Sequence, residues 1–260
     1  MGIASSLIDV VRAHCLLPAL AVVALTVGLD GDLRLGLPEA VAFCGMVLVY
    51  NLDQQYADPA DLANAPHRTC WRKTYRRSRL ILMAAAGAGL LAVAVRTPQL
   101  ALPLVLGALA AALYVLPACG VRIKDLPAVK TLYPPLILAA AILGPNSWLV
   151  GSFPSPYLIA WCYLFLLMNV WLFDLRDIEG DRTAGVRTLA VLVGPAWSRG
   201  LLFGVAFVAM LMGFTLGTHY HSAAPIAASV VALGYTKERT WLYYELVVDG
   251  ILLLPLLMLE

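Results

Sequence analysis

The sequence is poor in charged residues. Asp, Glu, Lys and Arg make up 13% of its 260 residues, whereas a soluble domain usually contains about 25%. Hydrophobic residues account for 61% of the chain, against about 45–50% in soluble domains. This balance excludes an ordinary soluble domain and predicts an integral membrane protein.

The cysteines lack any regular spacing. The sequence contains five of them, with no CxxC pair and no arrangement typical of a metal site, at Cys15, Cys44, Cys70, Cys119 and Cys162. We therefore expect free thiols that pack as small apolar side chains.

Apolar runs long enough to cross a bilayer, which takes about 20 residues, recur along the whole chain. The sequence predicts about nine such spans, of which the eighth is short: 9–29, 37–56, 79–96, 99–117, 127–149, 155–175, 197–217, 222–235 and 240–259. The expected fold is all-α, with one bundle of transmembrane helices around a central cavity. Residues 1–260 are expected to form a single domain.

The basic residues are concentrated in alternate loops. They follow the second and sixth spans, separate the fourth from the fifth, and precede the ninth. Lys and Arg collect in cytoplasmic loops, so the N-terminus and these loops are predicted inside and the C-terminus outside. Arg34 and Arg96 fall on the opposite side.

An acidic stripe ends the sixth span. Asp174, Asp177 and Asp181 are spaced i, i+3, i+7, so a helix places them along one face. A charge at mid-bilayer costs on the order of 2.5–3.5 kcal/mol, and like charges also repel one another. A cation would relieve both costs, and Mg²⁺ suits carboxylates, waters and phosphate oxygens. The alternative is a solvated acidic helix end.

The segment "DLRDIEGDRTAGVRTLAVLVG", from Asp174 to Gly194, resembles the second aspartate-rich motif of the UbiA superfamily of intramembrane prenyltransferases. Gly185, Thr188 and Leu189 match the loop that follows this motif. The resemblance implies that Asp174, Asp177 and Asp181 are catalytic ligands of Mg²⁺. It also implies that a prenyl diphosphate is ionised and its prenyl group transferred to a hydrophobic or aromatic acceptor.

Two loops resemble the family's diphosphate-binding segments. Tyr114 and Lys124 match a tyrosine-to-lysine segment, and Arg122 and Lys130 lie beside it. Cationic side chains would stabilise the charge that develops on a leaving diphosphate. The alternative for these cations is ordinary positive-inside signalling.

The other loop follows span two and contains an N-x-P-x-R run. The resemblance makes Asn64 and Arg68 substrate-binding candidates. We expect the later basic cluster, from Arg72 to Arg79, to contact anionic lipid headgroups. No nucleic-acid partner is expected at a membrane surface.

The first acidic cluster, in "NLDQQYADPAD", departs from the family pattern. Counting back from Asn64 gives Asp61 as its last acid, Ala57 in the middle and Asp53 where Asn is usual. Asp58 replaces the missing carboxylate only if the backbone shifts, for which Pro59 offers a cause.

Two interpretations of the first cluster follow. Either Asp53, Asp58 and Asp61 form an altered but working metal site, with Asp61 also catalytic, or only the second cluster binds metal well. We favour the first interpretation. Asn51 is expected either to contact substrate in the cavity or to form a hydrogen bond between helices.

Two other functions remain open. A UbiA-type membrane terpene cyclase would use the same metal and diphosphate site. A non-enzymatic relative that binds or transports lipid would retain the fold with a depleted first metal site.

Overall fold

The computed structural model describes residues 3–31, 33–56, 67–117, 122–216 and 243–257. All regular structure in these ranges is helical, which confirms the predicted all-α class. The α-helices are α1 Ile3–Ala13, α2 Leu16–Asp30, α3 Leu37–Asp53, α4 His67–Thr74, α5 Arg76–Arg96, α6 Ala101–Val115, α7 Val129–Val150, α8 Pro156–Thr183, α9 Leu189–Val193, α10 Pro195–Thr215 and α11 Leu254–Leu257. Short 3₁₀ turns cover Pro98–Leu100 and Ile123–Asp125.

Five helical segments in the described ranges are long and apolar enough to cross a membrane. They are α5, α7, α8, α10 and the segment Pro98–Val115, which combines a 3₁₀ turn with α6. The bent pair formed by α1 and α2 raises the number to six. Helix α3 has 17 residues, at the lower end of the range of about 17–25 that can span a bilayer.

The predicted number of spans is not confirmed. The eighth, 222–235, lies outside the described residues. The ninth is described only over 243–257, where it consists of a π turn Tyr244–Val248, a 3₁₀ turn Asp249–Leu253 and α11. We call these residues the C-terminal segment.

The first predicted span consists of two helices that meet at an angle of 70°. The break falls at Cys15, whose φ of 56° is left-handed and uncommon for a residue with a side chain. Asn51 Nδ2 donates to the His14 carbonyl over 2.9 Å, and Gln54 Nε2 contacts Cys15 Sγ at the same distance. The bend is therefore attached to the end of α3.

Helix α8 is the central helix of the bundle. It begins at Pro156, with Ser155 Oγ accepting a hydrogen bond from the Leu158 amide over 3.1 Å. In its apolar stretch 61% of residues are buried, against 11–28% in the other four long segments. The acidic stripe at its C-terminal end is consequently held by the most buried of the five long segments in the described residues.

The C-terminal segment packs against both the first helices and α8. Arg12 forms a two-atom ion pair with Glu245, with N–O distances of 2.5 and 2.8 Å. Asn169 Nδ2 donates to the Val248 carbonyl over 2.8 Å. A Cβ at Gly28 would lie 2.6 Å from the Leu256 amide nitrogen, so this position in α2 requires glycine for backbone contact.

Candidate functional site

The segment that joins α6 to the first turn of α7 contacts both acidic clusters. Lys124 Nζ lies 2.6 Å from Asp53 Oδ1 at the end of α3. Lys130 Nζ lies 2.7 Å from Asp181 Oδ1 at the end of α8. Lys124 lies in the 3₁₀ turn before α7 and Lys130 in the first turn of α7, six positions later. The ends of α3 and α8 are therefore held close to the same stretch of chain.

The start of α7 fixes this loop against the segment that follows the acidic stripe. Ala128 has a left-handed φ of 63°, and its amide donates to the Arg187 carbonyl over 2.7 Å. The buried Thr131 hydroxyl donates to Asp174 Oδ2 and accepts from the Leu189 amide over 3.0 Å. Thr131 therefore links the stripe to the beginning of α9.

The acidic stripe lies on regular helix, because α8 continues as far as Thr183. Asp174 and Asp181 are buried, and each accepts a contact from α7 or its preceding loop, as described above. Asp177 is bound by its neighbour Arg176 through two contacts of 2.7 and 2.8 Å.

Arg176 forms cation–π contacts with two aromatic rings. Its guanidinium lies 5.0 Å from the ring centre of Phe173 and 5.0 Å from that of Tyr244. Such cation–π contacts contribute about 0.5–2 kcal/mol, depending on how far the pair is desolvated. The C-terminal segment thereby fixes the cation that holds Asp177.

The donor atoms fit a hard divalent cation, because carboxylate oxygens are the ligands that Mg²⁺ prefers. In the described ranges, however, no group of three His, Cys, Asp or Glu side chains is arranged so that it could hold a metal. Each described aspartate of the two clusters is instead in contact with Lys124, Lys130, Arg176 or Thr131. For Asp53, Asp174 and Asp181 these contacts involve one oxygen of each carboxylate.

The other predicted diphosphate ligands have local partners. Arg122 forms an ion pair with Asp125, at 2.8 Å. The Tyr114 ring is stacked on Tyr133 of α7, with 5.6 Å between ring centres and an interplanar angle of 2°. Their roles in substrate binding remain predictions.

Asn51 is fully buried in a hydrogen-bond network. Its Nδ2 donates to the carbonyls of His14 and Val47, and its Oδ1 accepts from Arg79 Nε over 2.9 Å. Arg79 Nη2 also donates to the Asn51 carbonyl, one of the last carbonyls of α3. The structure thus shows the interhelical hydrogen bond that was one of the two expectations for Asn51.

Part of the predicted site lies outside the described residues. This applies to Asp58, Asp61 and Asn64, and to the question of Ala57 and Pro59. Arg68 belongs to α4, but its side chain is not among those described. These assignments stay predictions.

Sequence reasoning missed Thr131, Arg176 and Ala128. The adjacency of Arg176 to Asp177 was a usable signal, whereas the contacts of Thr131 and Ala128 arise only from packing. It also included Arg79 in a lipid-facing basic cluster, which is wrong for this residue. Arg79 is buried because its guanidinium binds Asn51 at the end of α3.

The described part of the chain is therefore a helical bundle of membrane-spanning type, with a cluster of aspartates and cations at one end. The model of the UbiA prenyltransferase family matches residues 15–246. This chain belongs to the UbiA prenyltransferase family.

The chain is similar over 64 residues to vertebrate proteins named UbiA prenyltransferase domain-containing protein 1. Identity is 36% for the Mus musculus protein, 38% for that of Xenopus tropicalis and 34% for that of Homo sapiens. In each case the match covers 25% of this chain and 19% of the relative. The matched part is thus about a fifth of those proteins. No solved structure matches the chain.

Proposed function

We propose that the protein is a Mg²⁺-dependent intramembrane prenyltransferase, which ionises a prenyl diphosphate and transfers the prenyl group to a hydrophobic or aromatic acceptor. The observation that carries this proposal is that one short segment, from Lys124 to the first turn of α7, contacts both acidic clusters, through Lys124 with Asp53 and Lys130 with Asp181. Membership of the UbiA prenyltransferase family supports the reaction class.

Asp174, Asp177 and Asp181 would hold Mg²⁺ on one side of the diphosphate. Asp53, Asp58 and Asp61 would hold it on the other, which is the first of the two interpretations of that cluster. When bound, Mg²⁺ supplies Lewis-acid stabilisation of the charge on the diphosphate oxygens.

The lysines would then change partners. In the structure Lys124 and Lys130 neutralise carboxylates. On binding of Mg²⁺ and diphosphate, the carboxylates would take metal ions in place of the lysines, and Lys124 and Lys130 would be free to contact the diphosphate. Such an exchange would give every one of these charges a new partner, which matters because an uncompensated buried charge is strongly destabilising. Arg68, Arg122 and Tyr114 would complete the diphosphate contacts.

The reaction breaks the bond between the allylic carbon and the diphosphate oxygen. The bonding electron pair leaves with the diphosphate, whose developing charge the lysine ammonium groups stabilise. The acceptor donates an electron pair to the allylic cation and loses a proton. The apolar bundle limits access of water, which would otherwise capture the cation.

The site end of the bundle is proposed to face the cytoplasm, with the C-terminus outside. Cys70 of α4 is exposed and tests this orientation in a Cys119→Ala variant. A membrane-impermeant maleimide should label Cys70 only after the cytoplasmic face is made accessible. A Leu35→Cys variant, exposed between α2 and α3, is expected to label from the outside. The reverse pattern contradicts the orientation.

Product analysis tests the function. The purified chain is incubated with Mg²⁺, with geranyl, farnesyl or geranylgeranyl diphosphate, and with a panel of aromatic and lipid acceptors. Pyrophosphate together with a prenylated acceptor is the expected result. Pyrophosphate with a cyclic hydrocarbon or terpene alcohol indicates the cyclase instead. Tight binding of the diphosphate without release of pyrophosphate indicates the non-enzymatic relative.

A further inference from the structure

The basic run after the second predicted span divides into two structurally different parts. Arg79 of α5 is fully buried against the end of α3, whereas Lys73, Arg76 and Arg77 are exposed. The exposed cations surround a cavity of about 440 Å³ that is also lined by Thr74 and Leu80. Three side chains from the α4–α5 elbow therefore present positive charge to one concave surface.

The cavity lies where the polar end of the bundle meets its lipid-facing surface. Arg79, one turn into α5, binds Asn51 near the end of α3 and so places the start of α5 beside that helix end. From Leu80 onward α5 turns apolar, and Leu80 and Ile81 are 47% and 70% exposed. Only 11% of the apolar stretch of α5 is buried in the protein, so this helix offers its side to acyl chains.

Aromatic side chains mark the same level. Trp71 of α4 lies under the Arg12 guanidinium, which is 4.5 Å from its ring centre. Tyr75, between α4 and α5, packs edge-on against His14 at 5.6 Å. Trp and Tyr are enriched at the headgroup level of membrane proteins, which agrees with an elbow at the membrane surface.

We propose that the α4–α5 elbow binds one acidic phospholipid. Its phosphate accepts hydrogen bonds from Lys73, Arg76 and Arg77, and the first turn of α5 adds the positive end of its dipole. Its glycerol and acyl chains follow Leu80 and Ile81 along α5. A lipid fits the position better than a free anion, because the cavity joins a cationic rim to an exposed apolar helix face.

Native mass spectrometry of the full chain in a neutral detergent tests the proposal. The protein is titrated with dioleoyl phosphatidylglycerol, and separately with dioleoyl phosphatidylcholine as the zwitterionic lipid of equal chain length. The variant K73Q/R76Q/R77Q should bind phosphatidylglycerol about tenfold or more weakly, because each basic residue near an anionic surface strengthens binding. Its binding of phosphatidylcholine should not change.

A charge-matched control separates a site from general attraction. The variant R96Q/R182Q/R187Q removes three exposed arginines elsewhere and should retain phosphatidylglycerol binding. Equal losses in both variants, or no loss in the elbow variant, would overturn the proposal. Unchanged circular dichroism and thermal unfolding without lipid show that both variants fold.

A second measurement distinguishes a lipid from a free phosphate. Leu80→Ser should weaken phosphatidylglycerol binding, because it removes apolar contact without altering charge. Inorganic phosphate and pyrophosphate should compete poorly with the lipid. If either anion displaces the lipid at equal concentration and Leu80→Ser has no effect, the elbow is a phosphate site and the lipid assignment is wrong.

Discussion

The two acidic clusters are supported in different ways. The second lies within α8, where Asp181 is fully buried and contacts Lys130. The described part of the first is Asp53, at the last residue of α3, with a side chain 35% exposed. The position of a carboxylate inside a buried helix is fixed by that helix. The position of a carboxylate at a helix end changes when the backbone of the following turn changes slightly.

The two motifs also differ in how closely they resemble the family pattern. The second cluster has the full i, i+3, i+7 spacing, which a helix places along one face. The first loses its middle acid at Ala57 and gains Pro59 in a stretch that follows the end of α3. The end of α3, where the first cluster begins, is nevertheless bound by other parts of the fold. Lys124 contacts Asp53, and Arg79 donates to Asn51.

The largest expected effect comes from the buried cluster. Asp174→Asn and Asp177→Asn should each lower the rate of Mg²⁺-dependent pyrophosphate release by about 10²–10³-fold, because each removes a charged ligand from the transition state. The matched control is Glu179→Gln, an exposed position on the same helix. Equal losses for Glu179→Gln and Asp177→Asn would remove the reason for assigning the stripe to metal binding.

The lysines connect the clusters, so their loss should have the next largest effect. Lys124→Met should slow pyrophosphate release by about 10–100-fold, since it removes a cation from the leaving group. The double variant K124M/D53N, compared with each single one, measures the coupling between loop and cluster, expected at about 0.5–3 kcal/mol. Strictly additive effects on rate would contradict a direct Lys124–Asp53 contact.

Arg79 tests the support of the first cluster through stability. Arg79→Met leaves the Asn51 side chain and carbonyl without their donor, which should lower the free energy of unfolding by about 1–3 kcal/mol. Arg96→Met, exposed at the other end of α5, should change it by less than about 0.5 kcal/mol. Denaturant unfolding in detergent measures both. Similar small shifts would show that the buried network stabilises little.

The smallest expected effect concerns the turn between the two lysines. Ala128→Gly should stabilise the protein by up to about 1 kcal/mol. A left-handed residue with a Cβ costs about 1–2 kcal/mol, and glycine removes that cost. Part of the gain is offset because glycine loses more conformational entropy on folding. Ala108→Gly, within α6, should have the opposite sign. Thermal unfolding compares them, and destabilisation by Ala128→Gly would contradict the left-handed turn.

The sequence predicted the helical class from its composition and hydropathy, and the family from the resemblance of the segment from Asp174 to Gly194. The i, i+3, i+7 spacing also predicted that Asp174, Asp177 and Asp181 share one helix, because such a spacing is a local property. The sequence did not predict the bend at Cys15 or the irregular C-terminal segment. Backbone angles at these places depend on contacts from distant elements, such as Asn51 with His14 and Glu245 with Arg12.

The site was predictable to a similar extent. The sequence pattern indicated which aspartates and lysines are candidate site residues, but it did not indicate which of them form ion pairs with one another. Which lysine meets which aspartate follows from how α3, α7 and α8 pack, and no spacing in the sequence encodes that. Arg79 is the clearest case, since its place in a basic run indicated solvent or lipid and its side chain is buried.

The central claim is that both acidic clusters serve one diphosphate. It is tested most directly by the rate of pyrophosphate release as Mg²⁺ is titrated, for the wild-type chain, Asp53→Asn and Asp174→Asn with the same prenyl diphosphate. The account predicts that both substitutions raise the Mg²⁺ concentration needed for half-maximal rate, with Asp174→Asn giving the larger shift. A Mg²⁺ dependence that Asp53→Asn leaves unchanged would contradict it.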